Sequence, residues 1–205
     1  MLCGARAVEV ETIVMMPLTR NNISAHREAD IRERVRGVVG LEGFFRLAGR
    51  DDAAALTDFL SDPAVSQPIY TLPEKINDTT IGDFIEEHLQ EKDRGEGFLM
   101  IGHQSEGFVE AYYDFQLWPQ WAVGKLGGAI HPRLQNSGRG GSDAQRIFSW
   151  MFDYLDIDLI CETCALDNTR SARLLERIGF TLKGEVLSEL PTGGTRPSLY
   201  WELGR

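Results

Sequence analysis

The chain has 205 residues, 21 of them basic and 31 acidic, for a formal net charge of −10 at neutral pH. That length supports one domain with a sizeable core. The acidic balance speaks against a nucleic-acid partner, which needs a basic face, and suits a cationic substrate or simple solubility. No apolar run nears the roughly 20 residues of a membrane span, and residues 1–6 lack the apolar stretch of a signal peptide; a cytoplasmic protein without a membrane partner is the expectation.

Residues 1–40 read apart from the rest. The segment 8–14 has strand character, and 24–39 carries Ile31, Val35 and Val38 at helical spacing. This extension can be an added arm, an element for homodimerisation, or in part a segment upstream of a true start at Met15 or Met16. From residue 41 a second region runs to 205. Its first strand is expected at 44–47. Asp51 or Asp52 can cap a helix over 53–60, which Asp62-Pro63 ends, since the residue before proline avoids the helical region. After a proline-containing segment, 63–73, Thr80 can cap a helix over 81–93. Segments 97–103 and 108–115 read as a hairpin. Trp118-Pro119-Gln120-Trp121 is a loop and 125–131 a strand. A helix over 142–156, a strand over 159–166, a helix over 169–178 and a closing hairpin, 181–190 with 198–203, complete the order. This is an α/β (α+β) layout: a mostly antiparallel sheet flanked by helices.

Between the strand 125–131 and the helix that follows lies Gln135-Asn136-Ser137-Gly138-Arg139-Gly140-Gly141. A glycine-rich turn opening a helix aims several backbone N–H groups, and the positive end of the helix dipole, at one spot suited to a phosphate. A P-loop is excluded because Ser142-Asp143 stand where Lys-Ser/Thr belongs, and a dinucleotide fingerprint because Asp143 occupies the third glycine position. A second segment, 167–180, reads as a short helix with Asn168 as N-cap, Ala172, Leu175 and Ile178 on one face, and Gly179 as a left-handed C-cap.

Gln135-x-x-Gly138-x-Gly140, followed about 30 residues later by Asn168-x-x-Ser171 and then Gly179-Phe180, resembles the two signatures of the GNAT N-acetyltransferases in their RimJ/RimL-like branch. The resemblance spans residues 43–205 and is specific within 126–180. It implies the GNAT fold, with splayed central strands, and acetyl-CoA as co-substrate, held between 125–131 and 159–166. The backbone of Ala129, Ile130 and His131 would pair with the pantetheine. Gln135, Ser137 and the N–H groups of Gly138, Arg139, Gly140 and Gly141 would surround the pyrophosphate, and Asn168 would reach the pantetheine arm. Ser171 falls where that branch has a proposed thiolate partner. Leu175 departs from the pattern, standing where many members carry a tyrosine acid. The reaction implied is direct attack of a primary amine, a protein N-terminus or a small cationic amine, on the thioester. A non-catalytic acyl-CoA-binding protein with this fold is the alternative.

The base is less legible. Glu110, Asp114 and Glu162 are strand carboxylates, and His131 can be tuned toward neutral pH. Tyr112 and Tyr113 must point to opposite faces, so one of them can face a site. Trp118, Trp121, Tyr70 and Tyr112 are candidate walls of an acceptor pocket, since aromatic surfaces suit the stem of an amine. No metal is expected: Cys161 and Cys164, three apart on a strand, point to opposite faces, and no second pair has zinc spacing.

Overall fold

The computed structural model describes residues 13–14, 17–41, 45–104, 108–135, 139–190 and 193–205. Over these residues the strands are β1 (Ile13–Val14), β2 (Gly40–Leu41), β3 (Phe45–Leu47), β4 (Gly97–Gln104), β5 (Phe108–Trp118), β6 (Val123–Ile130), β7 (Leu159–Ala165), β8 (Thr181–Glu189) and β9 (Thr195–Gly204). The helices are α1 (Ala25–Gly37), α2 (Ala53–Leu60), α3 (Pro63–Ser66), α4 (Asp78–Arg94), α5 (Arg139–Leu155) and α6 (Thr169–Ile178). Expectations for 8–12, 44, 105–107 and 136–138 lie outside the described residues.

All nine strands join one sheet in the order β1-β8-β9-β7-β6-β5-β4-β3-β2. Pairing is antiparallel except for β1 with β8 and β6 with β7. Period-2 alternation divides the sheet's apolar residues between two layers. Ala111, Tyr113, Phe115 and Leu117 of β5 join α1 and α5 in the larger core, around Ile31, Val35, Ile147 and Met151. Tyr112 faces the other way, with Leu99 and Ile101 of β4, into a core built on α2 and α4. The segment ahead of residue 41 shares the larger core through α1, whose Arg27 grips Asp158 with two bonds of 2.7 Å. Leu18 N–H bonds the Tyr200 hydroxyl at 2.9 Å, and Thr19 bonds the Glu202 carboxylate.

Three local starts differ from the sequence reading, two of them for a capping reason. The 63–73 segment holds α3, because Asp62 accepts the Ala64 N–H and Pro63 takes the first helical position, where no N–H is needed. Helix α4 begins at Asp78, since Asn77 accepts from the N–H groups of Thr79 and Thr80 while the Thr80 hydroxyl accepts from Asn77 N–H. Helix α5 begins at Arg139, so Gly140 and Gly141 lie in its first turn rather than in a preceding loop.

Two glycines of β6 control close approach. At Gly124 a Cβ would meet Met151 Cε at 2.7 Å and Ile157 Cδ1 at 2.9 Å. Gly128 has φ +148°, and a Cβ there would lie 2.4 Å from the Tyr112 carbonyl oxygen.

Candidate active site

Strands β6 and β7 pair only at Val123↔Leu159 and Gly124↔Ile160. Beyond that point they separate, while β6 stays paired to β5 as far as Ile130 and β7 to β9 as far as Ala165. The fork opens a cavity of about 330 Å³ lined by Lys125–Ile130 of β6, Glu162–Ala165 of β7, the start of α5, the first turns of α6 and the 64–71 segment.

Backbone groups on an antiparallel strand alternate between its two neighbours. On β6 the phase is set by three bonds. His131 N–H donates to the Glu110 carbonyl across the β5 ladder at 2.7 Å. Leu126 N–H points the other way, into the fork, and donates to Glu162 Oε1 at 2.8 Å. The Ile130 carbonyl likewise faces the fork and accepts from Gln135 Nε2 at 3.1 Å. Residues 126, 128 and 130 therefore present their main chain to the cleft. Ala129 and His131 present theirs to β5, which corrects the expectation for those two backbones.

Glu162 is buried in the fork. Burial pushes its carboxyl up to about 8, against the opposing pull of Lys125 and of the Leu126 N–H. A carboxyl near neutral pKa in a cleft has the properties of a general base. On the opposite face of the sheet, the Tyr70 hydroxyl and Thr163 Oγ1 are 2.6 Å apart. Lys125 Nζ lies 5.9 Å from the centre of the Tyr70 ring. Burial opposes the charge of both groups, but the ammonium and the phenol favour each other's ionised form, so Tyr70 sits below an ordinary phenol and Lys125 above an ordinary amine.

The far end of the cleft is closed by two helix starts. The first-turn N–H groups of α5 have no partner within the helix. Gly140 lets this turn approach β6, since a Cβ there would stand 3.0 Å from Ile130 Cδ1. In α6, Asn168 Oδ1 accepts the Ser171 N–H at 3.1 Å, so its N-cap role is real, and both residues line the cavity. Arg170 Nη1 bonds Gln135 Oε1 at 2.5 Å and ties α6 to the exit of β6. Leu175, one turn beyond Ser171, is buried and also lines the cavity.

The cleft thus gathers Tyr70, Ala129, Ile130, Gln135, Gly140, Glu162, Asn168 and Ser171 from among the candidates. Arg139 opens α5 and Gly141 follows in its first turn, with a Cβ at Gly141 reaching ordinary contact with Leu174. Ser137 and Gly138 lie outside the described residues. Six side chains sit elsewhere. Glu110 is buried on β5, 3.5 Å from Arg133 Nη2, and does not line the cavity. Tyr112 is buried in the α2–α4 core, edge-on to Phe59, and its neighbour Tyr113 lines the cleft instead. The His131 ring packs against Phe108 and accepts the Arg133 N–H. Trp118 is buried with Val186 and Tyr200, and Trp121 lies beneath the Arg20 guanidinium at 5.0 Å. Asp114 meets His88 Nε2 at 3.1 Å. Lys125 was missed as a site residue; its signal is its position as the first residue past the last β6–β7 pair, which needs the register to read.

Among the described residues no three metal-ligating side chains converge, and no helix is long and apolar enough to cross a membrane. Cys161 and Cys164 are buried in different cores on opposite faces, and burial pushes Cys161 up to about 12.

A family model described as an acetyltransferase (GNAT) domain matches residues 44–181. No curated protein matches the chain. Solved structures do. The ribosomal-protein-S5-alanine acetyltransferase of Vibrio fischeri is similar over 80% of this chain and 94% of its own, with 14% identity and a TM-score of 0.67. The RimL ribosomal L7/L12 α-N-protein acetyltransferase, in complex with coenzyme A, is similar over 81% and 97%, with 16% identity and a TM-score of 0.68. The spermidine N-acetyltransferase of Vibrio cholerae, in complex with CoA and spermine, is similar over 78% and 94%, with 14% identity and a TM-score of 0.65. At such identities the likeness shows a shared fold.

Proposed function

The chain belongs to the GNAT acetyltransferases, and we propose that it binds acetyl-CoA in the β6–β7 fork and transfers the acetyl group to a primary amine, a protein N-terminus or a small amine, in the cytoplasm. The observation that carries this reading is the fork itself. Two central strands part after two residue pairs, and the parted edge of β6 faces a cavity that ends at the first turn of a 17-residue helix. Buried backbone groups need partners. A ligand with amides along its length and a pyrophosphate at its end supplies both, the amides to Gly128 and Ile130, the phosphates to the N–H groups of Arg139, Gly140 and Gly141.

When bound, acetyl-CoA supplies an activated thioester carbonyl. Glu162 takes one proton from the ammonium of the acceptor, leaving a neutral nucleophile; its raised pKa suits that task near neutral pH. As the C–N bond forms and the C–S bond breaks, the second proton lost by nitrogen ends on sulfur, with the Ser171 hydroxyl positioned to hold it there. Leu175 offers no acid, so that work falls to Ser171, one helical turn earlier on the same wall. Asn168 fixes the first turn of α6 and with it the Ser171 position.

A thiol-release assay with acetyl-CoA, run against peptides with free N-termini, polyamines, aminoglycosides and amino acids beside calorimetry of acetyl-CoA binding, tests the proposal. Binding with turnover on one class is the expected result. Binding without turnover favours the non-catalytic acyl-CoA-binding alternative, and absence of binding overturns the assignment of the fork.

A further inference from the structure

The chain as a whole is strongly acidic, yet the acceptor side of the fork is not. Tyr70 after α3 and Lys125 of β6 line the cavity there, and Arg196 of β9, outside the lining residues, reaches the Tyr70 ring. Tyr70 is the hub. Its hydroxyl is anchored to Thr163 of β7 at 2.6 Å. Lys125 Nζ lies 5.9 Å from its ring centre and the Arg196 guanidinium carbon 5.3 Å from the same point. Among the described residues neither cation lies within 4.0 Å of a carboxylate. The neighbouring acids are otherwise engaged. Asp114 meets His88 at 3.1 Å, and Glu202 meets Lys183 at 3.2 Å and the Thr19 hydroxyl at 3.0 Å. Glu162 accepts from Leu126 N–H in the plane of the sheet.

Two half-buried cations beside one aromatic ring, with no carboxylate in ion-pair contact and only the longer-range pull of Glu162 and Asp114 on Lys125, form a candidate oxyanion site. Resting on the reading of the fork as an acetyl-transfer site, we propose that the acceptor is an amine that also carries a carboxylate, bound by Lys125 and Arg196 beside Tyr70 while its amino group faces Glu162. The acidic exterior attracts cations from solution, but the site selects an acceptor of the opposite local sign. Specificity set this way comes from the pair of cations, and a polyamine placed between them is repelled.

The test compares matched acceptors: amino acids with their amides, a peptide beginning with aspartate with its asparagine counterpart, and spermidine. Acetyl-CoA binding is followed by calorimetry alongside. A charge-assisted contact predicts a kcat/KM at least about tenfold higher for the carboxylate member of a pair. Arg196→Gln should raise KM for that member about tenfold, with its kcat nearly unchanged; Lys125→Met should raise KM as well and, because Lys125 also acts on Glu162, move the pH–rate limb upward for both members. Turnover of the free amino acids alone or of the aspartyl peptide alone tells which source carries the carboxylate. Equal use of both members of each pair, or preference for spermidine, overturns the carboxylate assignment and leaves the fork reading standing; no turnover in the panel while acetyl-CoA binds overturns the carboxylate assignment and favours the non-catalytic alternative. Failure to bind acetyl-CoA instead removes the fork reading on which it rests.

Discussion

The two flanks of β6 contrast sharply. Toward β5 the strand is laddered over its whole length, from Val123 opposite Trp118 to Ile130 opposite Ala111. Toward β7 it is laddered over two residues and then released. One strand thus serves as framework on one side and as a binding edge on the other, and backbone alternation decides which residue does which. Even-numbered residues from Leu126 face the fork, and odd-numbered ones are spent on β5. The lesson is that on the open flank the main chain is free of strand pairing and meets side chains instead, Leu126 with Glu162 and Ile130 with Gln135, while the fully laddered flank holds the strand in place.

Substitutions on the two flanks should therefore separate activity from stability. The largest effect is expected from Glu162→Gln on the open side. Loss of the proposed base should cut kcat by about 10²–10⁴. In the parent enzyme kcat/KM should rise with pH and level off above about 8, where the buried carboxyl ionises; the variant should lack that limb. A pH–rate profile reads both, and an unchanged limb would reassign the base.

Gly128 presents its main chain to the fork, but a side chain there strikes the closed flank: Gly128→Ala meets the Tyr112 carbonyl oxygen at 2.4 Å with φ at +148°. It should cost at least about 1–3 kcal/mol of stability, seen as a lower melting temperature. The contrast with Glu162→Gln breaks if the melting temperature is unchanged.

A second closed-flank test uses pH. Burial would lower the His88 pKa, but the Asp114 carboxylate and the Phe84 carbonyl override it and raise His88 to about 9. A pKa raised on folding contributes stability that is complete below the unfolded value near 6.5 and is lost as pH climbs through 9. Asp114→Asn should therefore be less stable than the parent by about 1–2 kcal/mol at pH 6, with the gap closing toward pH 9.5. Denaturant melts at the two pH values measure it. A gap independent of pH would mean that the pair does not titrate as described.

The smallest effect belongs to Gly140→Ala. A methyl there presses on the mobile tip of Ile130 at 3.0 Å, so the first-turn N–H groups stay in place and acetyl-CoA should weaken by less than about tenfold in calorimetry. A complete loss of binding would show that the fit at this turn is tighter than the side-chain contact alone implies.

Legibility followed sequence distance. Gln135, Gly140, Asn168 and Ser171 were readable because each belongs to a turn whose geometry is local: a cap, a helix start, a glycine at a close approach. The α/β order was readable from periodicity for the same reason. Glu162 could be placed only as a carboxylate on a bordering strand. Tyr112 and Tyr113 were one residue of register apart, and periodicity alone could not say which one faced the cleft. Glu110, Trp118 and Trp121 belong to surfaces fixed by strand pairing and by the arm through Leu18 and Arg20, which no local pattern announces. The Tyr70–Lys125–Arg196 group draws on three segments joined only by tertiary packing. Helix α5 begins at Arg139, three residues before the sequence reading, because low propensity makes a glycine pair read as loop even where the first helical turn runs through it.

Gly124, where the fork begins, has no room for a side chain because Met151 and Ile157 already fill the space beside it. The width of the opening is thereby an inheritance of the interior. A bulkier or slimmer residue at 151 or 157, far from any ligand, would widen or pinch the aperture downstream, so affinity can drift over generations through replacements that a survey of the binding wall would never flag.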